Sequence, residues 1–194
     1  MFHLRIEVAS HSKIDIILLL LFFPGLRCQC LISIDGTDVP IYEPGIRSSI
    51  WWSHKFNGPG LRYEVGICIR TGDIVWFKGP FPCNLSDREI FDCYLSEELI
   101  PGEGVEADSG YTGRLQIFTP GVGKTHKDRK QKSQVRGRHE NVNGRLKVFG
   151  VMKQWHHPDP AKHAIFARCV AVIVQLSFKL GEGLYEVPYK VNYD

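Results

Sequence analysis

Apolar and polar residues alternate most regularly between Leu61 and Arg70, where Tyr63, Val65, Ile67 and Ile69 fall on one face, the period of a half-buried strand. Thr71-Gly72-Asp73 reads as a turn and Ile74 to Lys78 as a second β run, so the two predict a hairpin. Upstream, Cys30 to Ile34 predicts a short apolar strand that ends in Asp35-Gly36-Thr37-Asp38 and is continued by Val39 to Tyr42. Glu43 to Pro59 reads as a loop carrying Trp51, Trp52, Lys55 and Phe56.

Downstream the period changes. Ser86 followed by Glu89 is a helix-start signature, and Ile90, Phe91, Tyr94, Leu95 and Leu99 recur at helical spacing until Pro101-Gly102. Gly104 to Ala107 predicts a short strand ending at Asp108, where Gly110 and Gly113 permit a sharp turn. Leu115 to Pro120 reads as another strand, and Gly121 to Gln134 as a polar, mobile loop. Val135 to Phe149 and Ala161 to Leu180 predict two helices, and Gly183 to Asp194 a tail that adds a strand or wraps the body. This order gives one mixed α/β domain over residues 31–194, with an N-terminal segment, 1–30, set apart.

Composition adds little to that outline, but the distribution of charge adds more. The net charge is +3, yet Gly121 to Pro160 holds ten Lys or Arg against three Asp or Glu, and the rest of the chain is net acidic. One basic zone on an acidic-to-neutral body points to a polyanionic partner. The six cysteines, Cys28, Cys30, Cys68, Cys83, Cys93 and Cys169, have irregular spacing, which fits reduced thiols in an intracellular protein better than a disulfide framework. The apolar run Ile14 to Phe23 is too short to span a bilayer. Asp15 inside it, and the lack of a small-x-small cleavage pattern after it, argue against a secretion signal.

The candidate chemistry lies in acids at element ends. Asp35 ends the first strand, Asp108 a later one, and Glu140 stands on the helix that begins near Val135. Two strand-end acids and one helix acid suit two divalent cations clamping a phosphodiester. Asp35 and Asp38 are three apart and point to opposite faces of a strand, so only one joins such a site, and Asp35 is preferred. Glu106 shares the face of Asp108 and is the alternative there. Arg136, Asn143, Gly144 and Lys147 lie on or near the face of Glu140, where a basic side chain can hold a phosphate. The cost of glycine within a helix predicts that a backbone or ligand approaches Gly144 closely. Lys124, Lys127, Arg129, Lys130, Lys132, Arg136 and Arg138 precede Glu140 and, with Lys55, are candidates for neutralising DNA phosphates. Gly121-Val122-Gly123-Lys124-Thr125 lacks the first glycine of a nucleotide phosphate loop, so no NTP is expected. His156, His157 and His163 have no matching ligands at metal spacing.

The ordered set Ile34-Asp35-Gly36-Thr37-Asp38, Tyr63-Glu64-Val65, Ala107-Asp108-Ser109-Gly110-Tyr111 and Arg138-His139-Glu140-Asn141-Val142-Asn143-Gly144-Arg145-Leu146-Lys147 resembles the DDE superfamily endonuclease domain of Harbinger-like transposases. The resemblance runs from about Leu31 to Tyr189. It implies an RNase H-like fold, a mixed central sheet flanked by helices, and Mg²⁺- or Mn²⁺-dependent cutting and joining of DNA. It implies Asp35, Asp108 and Glu140 as both the catalytic and the metal-binding triad. It places His163, Phe166 and Gln175 on a supporting C-terminal helix rather than in the site. Few residues precede Asp35, so a separate DNA-binding partner protein is expected, and a nuclear or otherwise intracellular location with no membrane partner. The rival reading is a non-catalytic DNA-binding or protein-interaction module derived from a decayed transposase.

Overall fold

The computed structural model describes residues 29–42, 48–99, 103–119, 125–153 and 159–189. The hydrophobic run 14–23, Lys124, the glycines ahead of Thr125, and His156 and His157 lie outside the described residues.

A mixed sheet forms the centre. Its strands are β1 (Gln29–Pro40), β2 (Trp52–Ser53), β3 (Gly58–Cys68), β4 (Ile74–Pro82), β5 (Glu103–Glu106) and β6 (Ile117–Phe118). β3 lies between β1 and β4, antiparallel to both. On its other edge β1 pairs in parallel with β5, and β5 in parallel with β6. The predicted hairpin is β3–β4, joined through Gly72 at φ +78°, a left-handed turn position that favours glycine. Only Ile117–Phe118 of the strand expected over Leu115 to Pro120 pairs with the sheet.

Period-2 alternation gives the sheet two buried faces. On one, Val39, Leu61, Tyr63, Val65 and Ile67 pack with Val142, Leu146, Ala167, Val170, Ala171 and Val174 of two long helices. On the other, Ile34 and Val105 pack with Phe91, Leu95 and Tyr111. The first helix, α1 (Asp87–Ile90), carries the predicted Ser86/Glu89 capping box and runs on as a wider turn, Phe91–Leu95.

The second helix, α2 (His126–Leu146), begins nine residues before Val135 and so replaces much of the expected mobile loop. Thr125 caps it, accepting from the Asp128 backbone while Asp128 reaches back. The periodicity signal missed this start because the buried face of α2 is largely polar: Gln131, Lys132, Arg138 and His139 are buried beside Val135, Val142 and Leu146. The third helix, α3 (Pro160–Ser177), packs on the sheet through Ala164, Ala167, Val170, Ala171 and Val174. Its His163 bonds Tyr63 Oη at 2.6 Å, and Gln175 accepts from Ile74 N at 2.7 Å, as support for the sheet. By length and composition alone, Pro160–Glu182 would also cross a membrane. The described part of the tail adds no strand and wraps against α2, where the Tyr185 carbonyl accepts from Arg138. Among the cysteines whose side chains are described, Cys68, Cys83, Cys93 and Cys169 are free; Cys83 is buried, and Cys93 and Cys169 are exposed.

Candidate functional site

Asp35 stands midway along β1, opposite Val65. Its face of the sheet is that of Ser33 and Val39, the side covered by α2. Asp38, three residues on, points to the other face, as strand parity requires. There Arg62 grips it with Nε at 2.8 Å and Nη2 at 3.1 Å, and Ser53 donates a short hydrogen bond. Burial alone would raise the Asp38 carboxyl, but the Arg62 and Ser53 hydrogen bonds outweigh it and hold the group below its usual range. Asp38 is therefore a structural acid and Asp35 the available one.

Asp108 follows β5, the parallel neighbour of β1, and caps the short turn Ser109–Tyr111 by accepting from Gly110 N at 2.8 Å. Burial holds the Asp35 carboxyl above its usual range; Lys55 opposes the rise, and the nearby carboxylates of Asp108 and Asp87 add to it. The fold thus brings Asp35 and Asp108 within electrostatic reach of each other. Glu106, the alternative to Asp108, is occupied. Lys132 of α2 sits 3.1 Å from it with both side chains buried, and Tyr189 Oη donates to it at 2.6 Å.

α2 supplies the third side. Asn143 Nδ2 lies 3.5 Å from Asp35 Oδ2. Glu140, one turn earlier, shares that face, with Cβ atoms of such pairs about 5–6 Å apart. Glu140 is exposed, and no hydrogen bond or ion pair joins it to Asp35 or Asp108 among the described residues. Lys147 is half-buried, and burial, then Lys55, holds its ammonium below the usual range, opposed by Asp38 and Asp35. Lys55 donates to the Gly36 carbonyl, so two cations flank Asp35. Nothing lies within 4 Å of the position a Gly144 side chain would take, so the close approach expected there is absent and this face is open.

The basic candidates divide into two groups. Lys127, Arg129, Lys130 and Arg136 are exposed on α2. At 100° per residue, Arg129, Arg136, Glu140, Asn143 and Lys147 form one stripe. Lys132 and Arg138 do not belong with them. Lys132 is 1 % exposed, paired with Glu106, and donates to the Thr119 carbonyl at 3.1 Å. Arg138, also 1 % exposed, donates to the carbonyls of Ile69 and Tyr185. Both hold the fold together and are unavailable to phosphates, a correction to the sequence expectation.

Two residues near the acids carried no sequence signal of a site. Arg62 bridges Asp38 and Asp87, with Nη1 3.2 Å from Asp87 Oδ1. Asp87 reads as an ordinary first-turn acid of α1 until its position beside Asp108 and Asp35 is seen.

The oxygen donors and the desolvation of Asp35 suit a hard divalent cation. Among the described residues no group of three or more His, Cys, Asp or Glu side chains stands close enough together to hold a metal ion, so Glu140 is not brought together with Asp35 and Asp108. Mg²⁺ keeps several waters and takes one or two protein carboxylates, so the Asp35–Asp108 pair fits it without such a group.

A protein-family profile described as a DDE superfamily endonuclease matches residues 34–177, which include all three acids and α2. No curated protein matches, and no solved structure matches.

Proposed function

We propose that this chain, which belongs to the DDE superfamily endonuclease family, is the metal-dependent catalytic domain of a Harbinger-like DNA transposase with an RNase H-like fold. One observation carries the reading. Asp35 on β1 and Asp108, just past its parallel neighbour β5, lie within electrostatic reach of each other, and Asn143 of α2 reaches Asp35. The mixed sheet with helices on both faces supports the fold assignment.

In this reading Asp35 and Asp108 hold Mg²⁺ or Mn²⁺, with Glu140 completing the set from the helix. When bound, the cations supply activation of an attacking water or 3′-hydroxyl and stabilisation of the leaving oxygen. Lys55 and Lys147 bind the scissile phosphate beside Asp35. The exposed stripe through Arg129 and Arg136 binds flanking phosphates, giving affinity without sequence readout. Sequence choice then falls to a separate DNA-binding partner, and the site of action to the nucleus.

The test is nicking of supercoiled DNA with Mg²⁺ or Mn²⁺ by the wild type, Asp35→Asn, Asp108→Asn and Glu140→Gln. The expected outcome is nicking by the wild type and a loss of at least about a hundredfold in each variant, the scale of removing one electrostatic stabiliser. Equal nicking by wild type and Asp108→Asn would refute the assignment. DNA binding without nicking by any of the four would favour the non-catalytic module.

A further inference from the structure

Asp87 is the acid that neither the strand pattern nor the helix pattern singles out. It opens α1, on the side of the sheet away from α2, and its carboxylate lies against Gly36 of β1, beyond the end of the β1–β5 pairing. A methyl group added to Gly36 would lie 2.7 Å from Asp87 Oδ1, and one added to Gly110 would lie 3.2 Å from Asp87 Oδ2. The carboxylate therefore occupies a slot that exists only because both residues lack a side chain. Gly36 directly follows Asp35 on β1, and Gly110 is the residue whose N–H is held by Asp108. One carboxylate thus fills the space beside the residue after Asp35 and beside the residue whose N–H Asp108 accepts.

Its anchor is equally specific. Arg62 Nη1 sits 3.2 Å from Asp87 Oδ1 and donates to the Leu85 carbonyl at 2.9 Å, while the rest of the guanidinium is committed to Asp38. Oδ1 is thereby tied to the fold, and Oδ2 is left on the Gly110 side.

We propose that Asp87 is a positioning residue of the divalent-cation site: anchored on Arg62, its carboxylate fixes the Asp108 turn against β1 and offers Oδ2 to the water shell of the cation. The inference rests on the metal-dependent reading above and adds a residue to it. Hard cations such as Mg²⁺ retain waters, and those waters need acceptors. Groups that orient the ligands in this way change metal affinity by about 10- to 100-fold when removed. Asp87 serves the cation through Asp108 and the water shell, so the effect reads out in binding as well as in catalysis.

The experiment is Mn²⁺ titration of the full chain by calorimetry, with thermal melting of each protein alongside, for the wild type, Asp108→Asn, Asp87→Asn and Gly36→Ala. Asp87→Asn keeps shape and an oxygen for Arg62 but loses the negative charge. Gly36→Ala keeps the charge but pushes the carboxylate out of its slot. The expected result is Mn²⁺ affinity about 10- to 100-fold weaker in both, with Asp108→Asn weaker still. Wild-type affinity in a folded Asp87→Asn overturns the inference while leaving the metal-site reading intact. If Asp87→Asn does not fold, wild-type affinity in Gly36→Ala overturns it instead. No Mn²⁺ binding by the wild type overturns both readings.

Discussion

Glu64 offers a direct test of how the sheet is electrostatically built behind the site. It pairs in register with Gly36 on β1 and is 1 % exposed. Trp76 Nε1 donates to its Oε2 at 2.8 Å, and Tyr111 lies against its other side. Burial pushes its carboxyl from 4.5 up to about 8, against the opposing pull of Trp76 and Tyr111. At neutral pH Glu64 is therefore protonated in the folded protein and ionised in the unfolded one. The sign follows from proton counting. Between pH 4.5 and 8 the folded state holds a proton that the unfolded state lacks, so stability falls as pH rises. The slope is about 1.4 kcal/mol per pH unit, which sums to roughly 5 kcal/mol over the window. That is a large share of the 5–15 kcal/mol typical of a domain. Glu64→Gln keeps an oxygen for Trp76 and cannot ionise. Urea unfolding followed by tryptophan fluorescence at pH 5, 6, 7 and 8 should show the variant gaining on the wild type by about 4 kcal/mol across the series. All other titrations, His139 included, cancel in the difference. Parallel curves would refute the reasoning, because Glu64 would then ionise alike in both states.

Three further outcomes follow from the same contacts. Glu106→Gln or Lys132→Met alone should cost about 3–5 kcal/mol in urea unfolding by stranding a buried charge, and the double variant should recover much of it. Arg129→Ala and Arg136→Ala should each weaken DNA binding and lower the salt slope by about one in fluorescence anisotropy, while Arg138→Ala should lower the melting temperature and leave the slope unchanged. Gly144→Ala, with open space around it, should stabilise the helix by about 0.5–1 kcal/mol and raise the melting temperature by a few degrees; if DNA lies along that face, the same variant weakens binding.

How much of this the sequence carried depends on which residues set each feature. The β3–β4 hairpin was legible because its strands are adjacent and its turn, Thr71-Gly72-Asp73, lies between them. The α1 start was legible because Ser86 and Glu89 satisfy each other locally. The α2 start used the same device, Thr125 with Asp128, but the apolar period that should follow it was absent. Its core positions are held by Lys132, Arg138 and His139, whose partners Glu106, Tyr185 and Ser33 lie far along the chain. A lysine destined for a buried glutamate and one destined for a phosphate look alike in a sequence. Asp35 reads as a strand end in the sequence but stands midway along β1, whereas Asp108, just past β5 and ahead of Gly110, was legible as an acid at an element end. Asp87 was not, because its place depends on Arg62 and on the absent side chains of Gly36 and Gly110.

The polar underside of α2 explains how that helix is held against the strands beside Asp35. Lys132 binds Glu106, two residues before Asp108 on the same face. His139 Nε2 meets Ser33 Oγ at 2.9 Å, two residues before Asp35 on the same face. Burial pushes the His139 imidazole down to about 3, so it stays neutral and suits a hydroxyl partner. Asn143 then reaches Asp35 itself. Each contact ties α2 to one of the two acid-bearing strands close to its acid. Apolar packing alone tolerates sliding of a helix over a sheet, since one methyl group replaces another at little cost. Directional contacts between buried polar groups do not, because a slip leaves each group unsatisfied at roughly 1–3 kcal/mol. Lys132 and Arg138, dropped from the proposed DNA-binding set, thus act through the fold: they hold in register the helix that brings Asn143 to Asp35.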